Sequence, residues 1–370
     1  MSGNNSSNSK EPRFTKTIKD DFKNLQVKDD LGKEYKDLKE YYLSEERKRK
    51  LESMGGCRKF FLIPWWMLKA LFFKLTPFRR ILLLFSIFML LISGNNRIES
   101  GQLTIDIIGP GIIGGLILLF ILALELKDKL LAKTELEEGR AVQLALMPEQ
   151  SPKVDGWDIW LYTRSANDVG GDLLDFIQIE NDRFGIAVGD VAGKGLSAAL
   201  LMSKLQSTIR ALVYDSTSLS NLGKKLNTVF HRDSPSKIFA SLLYSEIRTN
   251  SAEIKFINAG HFPPIIVRIG QIEKMQKTAP ALGIVHDADF NEQRISLQQN
   301  EFVIFYSDGL TEATNETGEF FGENRLLDAL QNSQINSSKQ LGEFLISKVD
   351  DFVKKFPAHD DLTLAVLKKV

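Results

Sequence analysis

The sequence predicts a chain of two parts, an N-terminal part with apolar helices and a C-terminal part built on short buried strands. Two observations support this division. The longest apolar stretches are concentrated between residues 78 and 124, whereas several apolar runs of the C-terminal half border an aspartate. At 370 residues the chain is long enough for at least two units. The formal net charge is zero, so the composition indicates no nucleic-acid partner.

The first 77 residues contain two predicted segments. Residues 1–52 are polar and highly charged, and no apolar core follows the first residues as it would in a secretory signal. Sparse apolar residues at helical spacing, among them Phe14, Leu38 and Leu51, predict either an interacting helix or a largely solvated one in this cytosolic tail, and the high charge favours the solvated helix. Residues 53–77 combine aromatic residues with lysines, which is typical of an amphipathic helix that lies in a membrane interface.

Two apolar stretches, 78–93 and 105–124, predict a two-helix transmembrane hairpin over residues 78–124. The second stretch approaches the ~20 residues that a bilayer helix needs. Basic residues flank the pair of stretches on both sides, whereas the short connection between them contains a single basic residue, Arg97. The positive-inside rule then predicts a multi-pass protein of the inner (cytoplasmic) membrane, with the N-terminus and the C-terminal domain in the cytoplasm. A buried helical hairpin of a soluble protein is the alternative.

The segment that follows predicts a connection to the C-terminal domain. Residues 125–149 mix apolar and charged residues and end near Pro148, as expected of a linker helix before a domain at 150–370. Gly111 and Gly115 form a GxxxG pattern, which permits close packing of membrane helices. A homodimer through the transmembrane and linker helices is therefore an expectation.

The C-terminal domain places aspartates at the ends of predicted strands. Three apolar runs of strand length, each bounded by Gly, Asn or Asp, lie directly beside these aspartates. Carboxylates that converge at the end of a rigid sheet repel one another unless a cation lies among them. Oxygen ligands favour Mg²⁺ or Mn²⁺ over Zn²⁺. Asp-Gly is also a common hairpin signal, so Asp308 alone would indicate a turn. The aspartates are Asp172, Asp190, Asp308, Asp360 and Asp361.

Five motifs in order resemble the SpoIIE/RsbU branch of the metal-dependent type 2C protein phosphatases. They are DVGGD, VGDVAGKG, INAGHFPP, FYSDG and HDDLT, within about residues 140–370. The resemblance implies an α+β fold, a two-layer antiparallel β-sandwich flanked by helices, with two Mn²⁺ or Mg²⁺ ions at one end of the sheets. It also implies a Ser/Thr phosphatase that uses metal-activated water directly, without a phosphoenzyme. The only cysteine, Cys57, lies outside this region and excludes a Cys-x5-Arg phosphatase.

The resemblance also implies a set of metal ligands. The aspartate of GDVxGKG bridges both cations, and the next residue lends its backbone carbonyl. The aspartate of SDG and the first aspartate of DDxT hold one cation, the aspartate of VGGD serves the other, and the second aspartate of DDxT is a further candidate. In that order, these residues are Asp190, Val191, Asp308, Asp360, Asp172 and Asp361.

Three further residues have two interpretations each. Lys194, between two glycines, either donates to a substrate phosphate or is solvated. Arg164 is a second candidate for the substrate phosphate, although surface arginines are common. His261 either donates a proton to the leaving serine oxygen or orients a turn, and the turn is the more frequent role of such a histidine.

The expected substrate is a phosphoprotein, which by family resemblance is a phosphorylated anti-sigma-factor antagonist in a partner-switching pathway. Two other functions remain open at this point. One is a catalytically silent membrane scaffold, against which the retained aspartates argue. The other is a small-molecule phosphatase, which the motifs do not exclude.

Overall fold

The computed structural model describes most of the chain from residue 39 onward. It divides into two compact units, Met1–Lys129 and Leu130–Val370. The predicted N-terminal tail lies outside the described residues up to residue 38. The described residues are 39, 43, 45–52, 54–92, 97–100, 103–106, 109–235, 237–268, 270–276, 279–331, 335–354 and 356–370.

The N-terminal unit is helical, with one short β-hairpin. Leu43 and Leu51 are buried and form a small cluster with Ile63, so this end of the tail is packed, contrary to the solvated helix that the sequence predicted. The cause is the apolar face of the next helix, which covers both leucines. The elements are α1 Glu45–Glu52, α2 Gly56–Lys74, α3 Pro77–Ile92, β1 Arg97–Ser100, β2 Leu103–Asp106 and α4 Gly109–Leu146.

Helices α3 and α4 pack against each other in antiparallel orientation. The Ser86 hydroxyl donates to the carbonyl of Gly114 at 2.7 Å, and a Cβ at Gly114 would come within 2.9 Å of the Ser86 carbonyl oxygen. At the other end of α3, the Arg79 guanidinium donates to Glu125 at 2.6 Å and to Asp128 at 2.7 Å. A glycine is therefore required where the two helices approach most closely.

The boundaries of α3 and α4 differ from the predicted hairpin. Among the described helices, α4 alone is long and apolar enough to cross a membrane by length and composition. Helix α3 has 16 residues, fewer than the ~20 that a span needs. Ile105 lies in β2, and α4 begins at Gly109 with Pro110 in its first turn, where a missing N–H is tolerated. The linker predicted at 125–149 is the C-terminal part of α4. The two-helix transmembrane hairpin stays a prediction.

The C-terminal unit contains two five-stranded antiparallel sheets, with strand orders β10-β7-β6-β5-β4 and β3-β12-β11-β8-β9. The strands are β3 Trp157–Arg164, β4 Asp172–Gln178, β5 Arg183–Val191, β6 Ala240–Arg248, β7 Glu253–Ala259, β8 Ile265–Arg268, β9 Gln271–Lys274, β10 Gln293–Ser296, β11 Phe302–Tyr306 and β12 Leu362–Lys369. The helices are α5 Leu196–Leu212, α6 Leu219–Asp233, α7 Asp308–Thr311, α8 Gly322–Gln331 and α9 Ser338–Val353.

The sheets pack face to face and helices cover their outer faces. In β4, Leu174 packs in the core between the sheets, whereas Leu173 packs in the core shared with α5 and α6, as the two-residue period of a strand requires. Helices α8 and α9 cover the second sheet. Gly342 of α9 allows close contact, because a Cβ there would overlap the ring of Trp160. The predicted two-layer antiparallel β-sandwich flanked by helices is confirmed.

The strands that carry the aspartates end at the same end of the sandwich. The predicted runs 184–189 and 362–367 lie within β5 and β12, and the run 302–307 contains β11. Strands β4 and β5 are antiparallel neighbours, so the start of one lies beside the end of the other. The same holds for β11 and β12 in the second sheet. The topology therefore brings the motif aspartates together from both sheets.

Candidate metal centre

Three of the predicted ligands, Asp172, Asp190 and Asp308, form a cluster that we call the acidic triad. Each offers one carboxylate oxygen, and these three oxygens lie within 4.8 Å of one another. Asp172 opens β4 and its Cα pairs with that of Asp190 in β5. Asp308 comes from the second sheet, as the first residue of α7 directly after β11. The triad thus joins the ends of both sheets.

Burial and mutual repulsion make the triad reluctant to ionise. Burial raises the pKa of Asp190 to about 7, and the charges of Asp308, Asp360 and Asp361 add to this effect. Burial also raises the pKa of Asp308 to about 6, with contributions from Asp360 and Glu312. Raised pKa values of neighbouring carboxylates are typical of functional sites.

Asp172 is the most deeply buried member of the triad. Burial holds its pKa well above the usual range of a carboxyl group, and the nearby charges of Asp190 and Asp361 act in the same direction. Hydrogen bonds from the hydroxyls of Thr363 and Ser307 oppose this shift. Its Oδ2 atom is buried and has no hydrogen-bond partner among the described residues. A buried oxygen without a donor is costly unless a cation or proton satisfies it.

These properties fit a hard divalent cation. The donors are carboxylate oxygens, which Mg²⁺ and Mn²⁺ prefer. Asp172, Asp190 and Asp308 form no salt bridge with any described residue, so the protein itself does not neutralise them. The residues present therefore fit the metal dependence that the sequence predicts.

The carbonyl of Val191 faces the same space as the carboxylate of Asp190. A Cβ on Gly171 would lie 3.5 Å from the Asp190 Oδ1 atom and 3.5 Å from the Val191 carbonyl oxygen. Both oxygens therefore border the backbone of the VGGD loop. A Cβ at position 171 would make ordinary van der Waals contact with both oxygens and would lie closer, at 3.3 Å, to the Cβ of Ala198.

Asp360 and Lys194 lie at the rim of the triad. Asp360 is half-exposed, and its charge contributes to the raised pKa values of Asp190 and Asp308. The Lys194 ammonium is 3.3 Å from Asp360 Oδ2 and donates to the carbonyl of His359 at 2.7 Å. Lys194, a predicted phosphate contact, is thus paired with a predicted ligand in this structure.

Asp361 holds a loop instead of joining the triad. Its Oδ1 accepts the Ala166 N–H at 2.7 Å and its Oδ2 accepts the Gly171 N–H at 2.6 Å. Its backbone carbonyl abuts Gly309, where a Cβ would overlap it. Both carboxylate oxygens are therefore engaged in shaping the loop before Asp172.

The structure does not bring His261 or Arg164 into the triad. His261 is buried, its Nδ1 lies 2.7 Å from the Ser241 hydroxyl, and its backbone N–H donates to Asn258. Ser241 pairs with Asp190 across β5 and β6, so His261 supports a neighbouring strand. Arg164 donates two hydrogen bonds to Asp350, at 2.7 and 3.2 Å.

Three residues that shape the centre were not singled out from the sequence. The hydroxyls of Ser307 and Thr363 act to lower the pKa of Asp172, and their positions within the SDG and DDLT motifs are the signal that could have identified them. Gln143 near the end of α4 donates to the Gly170 carbonyl at 2.8 Å and accepts the Gly170 N–H at 3.0 Å. No local pattern distinguishes Gln143 from other polar residues of that helix.

The fold and the acidic triad together define the architecture of a type 2C (PP2C) phosphatase. The solved structure of the SiaA-PP2C domain of Pseudomonas aeruginosa superposes with a TM-score of 0.57 at 17% identity, covering 66% of this chain and 99% of that chain. This similarity establishes the fold.

The chain belongs to the SpoIIE family. The family model described as Stage II sporulation protein E (SpoIIE) matches residues 180–370, which is 191 of the 370 residues. The family resemblance predicted from the five motifs is thereby confirmed.

Two curated relatives match a large part of the chain. The phosphoserine phosphatase RsbU of Bacillus subtilis is 28% identical over 241 residues, covering 64% of this chain and 70% of RsbU. Protein IcfG of Synechocystis sp. is 27% identical over 274 residues, covering 66% of this chain and 43% of IcfG. The chain thus spans less than half the length of one of the two relatives.

Proposed function

We propose that this protein is a membrane-anchored, metal-dependent Ser/Thr protein phosphatase. The observation that carries the proposal is the acidic triad, in which three carboxylate oxygens from two sheets lie within 4.8 Å of one another without a neutralising base among the described residues. Such an arrangement costs free energy in a folded chain unless a cation compensates it. The phosphatase named among the relatives supports the same activity.

In the proposed mechanism, the triad and Asp360 hold two Mn²⁺ or Mg²⁺ ions, with the Val191 carbonyl as a further ligand. Ions of this kind activate water and neutralise charge on phosphoryl oxygens. Asp361 acts indirectly, because it fixes the loop that carries Asp172. Lys194 exchanges Asp360 for the substrate phosphate, which its exposed position at the rim permits.

Two other predicted groups take different roles in this mechanism. His261 stabilises the strand next to Asp190, since its ring is buried and bonded to Ser241. It is not positioned in this structure as a proton donor to a leaving group. Arg164 stays with Asp350 and lines an adjacent cleft. The phosphate contact therefore rests on Lys194.

We propose a phosphoserine- or phosphothreonine-bearing protein as the substrate, namely a phosphorylated anti-sigma-factor antagonist in a partner-switching pathway. The name of RsbU, a phosphoserine phosphatase, supports a phosphoserine substrate, and the anti-sigma-factor antagonist is what the family resemblance implies. A small phosphorylated metabolite is the competing substrate. The two substrates are distinguished by comparing the specificity constants for a phosphoprotein and for small phosphomonoesters.

The N-terminal unit supports the proposed membrane anchor. Large apolar side chains of α3 and α4 are exposed, and they cover the outside of both helices. Such a surface is stable in lipid and prone to aggregation in water. We propose that the two helices form the anchor in the inner membrane, with the N-terminus and the catalytic domain cytoplasmic and with α4 as a homodimer contact. The exposed residues include Phe78, Ile81, Leu84, Phe88, Leu91, Ile112, Leu116, Leu119, Phe120 and Leu122.

Extraction of membranes from expressing cells tests the anchor. The full-length chain is expected to stay in the pellet after washing with alkaline carbonate and to dissolve in detergent. A fragment beginning at residue 125 lacks α3 and most of the apolar part of α4, so it is expected in the supernatant. Release of the full-length chain by carbonate would contradict membrane insertion.

Phosphate release tests the enzymatic activity. We would assay the full-length chain in detergent and the fragment 125–370 with Mn²⁺ or EDTA, using phosphoserine peptides and p-nitrophenyl phosphate. Activity is expected with Mn²⁺ only, and Asp190→Asn and Asp308→Asn are expected to lose at least about 10³-fold in kcat, because each removes a negative charge from the triad. Asp182→Asn, an exposed aspartate paired with Arg248, is the matched control.

The outcomes separate the competing functions. Hydrolysis of small phosphomonoesters but of no phosphoprotein would support the small-molecule phosphatase. A folded chain that binds Mn²⁺ and hydrolyses neither substrate would support the silent scaffold. Activity that persists in both triad variants would contradict the proposed centre.

A further inference from the structure

A cleft of about 280 Å³ opens beside the acidic triad and has no role in the proposed chemistry. Gly309 and Asp360 border it on the side of the triad. The end of α9 and the loop at residues 356–359 also line it. A substrate segment next to the phosphoserine would therefore reach this cleft.

The floor of the cleft is apolar. Val349 is buried, and Val353 and Phe356 are partly buried, so their side chains form a hydrophobic surface below the charged walls. Apolar surface of this kind supports the methylene groups of a long side chain while its polar end reaches solvent.

Most charges on the walls are already paired. Arg164 is paired with Asp350, and Asp360 is paired with Lys194. Lys354, next to the end of α9, is exposed and forms no salt bridge with a described residue. The same holds for the exposed carboxylate of Glu312. It lies close enough to Asp308 to contribute to the raised pKa of that residue. Glu312 is thus the carboxylate of the cleft that remains available to a ligand.

We propose that the cleft recognises a lysine or arginine side chain near the phosphoserine of the protein substrate, and that Glu312 selects it. The inference rests on the proposed phosphatase function. The alkyl part of the basic residue lies on Val353 and Phe356, and its cationic end pairs with Glu312. An acidic residue beside Glu312 is disfavoured because that carboxylate repels it, whereas Asp360 is paired with Lys194. A purely apolar residue would desolvate the Glu312 carboxylate without a partner.

A set of phosphoserine peptides tests the proposal with the full-length chain in detergent and Mn²⁺. The peptides are identical except that lysine or glutamate occupies one neighbouring position in turn. We expect at least one position at which lysine gives a kcat/KM about tenfold higher than glutamate, and Glu312→Lys is expected to reverse this preference. The preference is the ratio of the kcat/KM values of two peptides measured with the same enzyme. Any effect of Glu312 on Asp308 changes both values equally and cancels in the ratio.

The matched control is Glu316→Lys, which makes the same charge change at an exposed residue outside the cleft. It is expected to leave the ratio of lysine to glutamate unchanged. Ratios within twofold at every position, or equal ratios for wild type and Glu312→Lys, would overturn the proposal. Fluorescence anisotropy of labelled peptides gives the same ratio from binding. A chain that binds with the predicted preference but releases no phosphate would therefore refute the phosphatase function and retain the cleft.

Discussion

The C-terminal unit contains two kinds of buried or partly buried carboxylate, which differ in what neutralises them. Asp175 is fully buried and accepts two hydrogen bonds from Arg210, at 2.8 and 2.7 Å. Glu246 accepts two from Arg183, both at 2.8 Å. The carboxylates of the acidic triad have no such partner, although all three lie within 4.8 Å of one another.

This difference separates structural charge from functional charge. A bidentate arginine satisfies a carboxylate completely, so Asp175 and Glu246 stabilise the sheet without a ligand. The triad carries its charge at a strand end where the fold supplies no base. The arginine-paired carboxylates therefore stabilise the fold, whereas the triad is suited to bind a cation from solution. The following variants test this distinction.

The largest expected effect on stability follows from loss of a structural pair. Arg210→Ala leaves the buried carboxylate of Asp175 without its partner and is expected to lower the free energy of unfolding by about 3 kcal/mol. Urea unfolding of the fragment 125–370, followed by the fluorescence of Trp157 and Trp160, measures this change. Asp190→Asn in EDTA is the counterpart, and it is expected to preserve or raise stability because it removes a repelling charge. Equal destabilisation by both variants would refute the distinction.

The affinity for Mn²⁺ is expected to depend on the triad and not on the arginine-paired carboxylates. Asp172→Asn removes a buried carboxylate of the triad and should weaken Mn²⁺ binding by at least about tenfold. Glu246→Gln changes a buried carboxylate of the structural kind and should leave the affinity for Mn²⁺ unchanged. Isothermal titration calorimetry on both variants provides the comparison. An equal loss of affinity in both variants would mean that the cation binds elsewhere or through the fold as a whole.

The pH dependence of stability is expected to report the same repulsion. The pKa of Asp190 is raised to about 7 and that of Asp308 to about 6, so between pH 4 and 7 the folded state binds more protons than the unfolded state. The stability of the metal-free domain should therefore fall as pH rises through this window. Thermal unfolding in EDTA at a series of pH values measures the trend.

The control for the pH series is Asp190→Asn, which should flatten the dependence. Saturating Mn²⁺ should stabilise the wild-type domain most at the upper end of the window, because the cation competes with protons for the same oxygens. If the stability of the wild-type domain in EDTA rises from pH 4 to 7, groups other than the triad determine its pH dependence.

The sequence predicted Asp190 and Asp308 because each follows an apolar run of strand length, and Asp172 because it belongs to the VGGD motif. Asp190 and Asp308 could be assigned to strand ends from local pattern alone. Antiparallel pairing places Asp172 beside Asp190, and the packing of the two sheets brings Asp308 to them. The pair of Asp175 and Arg210 could not be predicted, because the two residues are 35 positions apart and join a strand to a helix. Local periodicity carries no information about such a contact.

The adjacent residues Asp360 and Asp361 show a second limit. The motif does not say which carboxylate faces the centre. Successive residues of an extended chain point in opposite directions, and here Asp360 lies at the rim while Asp361 turns to the loop before Asp172. The apolar stretch at residues 78–93 shows a third limit, because it is itself shorter than the ~20 residues of a span and α3 has 16 residues, so its membrane span stays a prediction.

The smallest expected effect concerns Lys194, the base nearest to the centre. Its ion pair with Asp360 is exposed on both sides, so Lys194→Ala is expected to lower the free energy of unfolding by less than about 1 kcal/mol. If Lys194 contacts the substrate phosphate, the same variant should raise KM for p-nitrophenyl phosphate by roughly tenfold, the loss of a charge-assisted hydrogen bond. The matched control is Lys204→Ala on α5, which removes an ion pair with Asp233 at the end of α6. A large loss of stability with an unchanged KM would mean that Lys194 stabilises the fold, as Arg183 and Arg210 do, and does not contact the substrate phosphate.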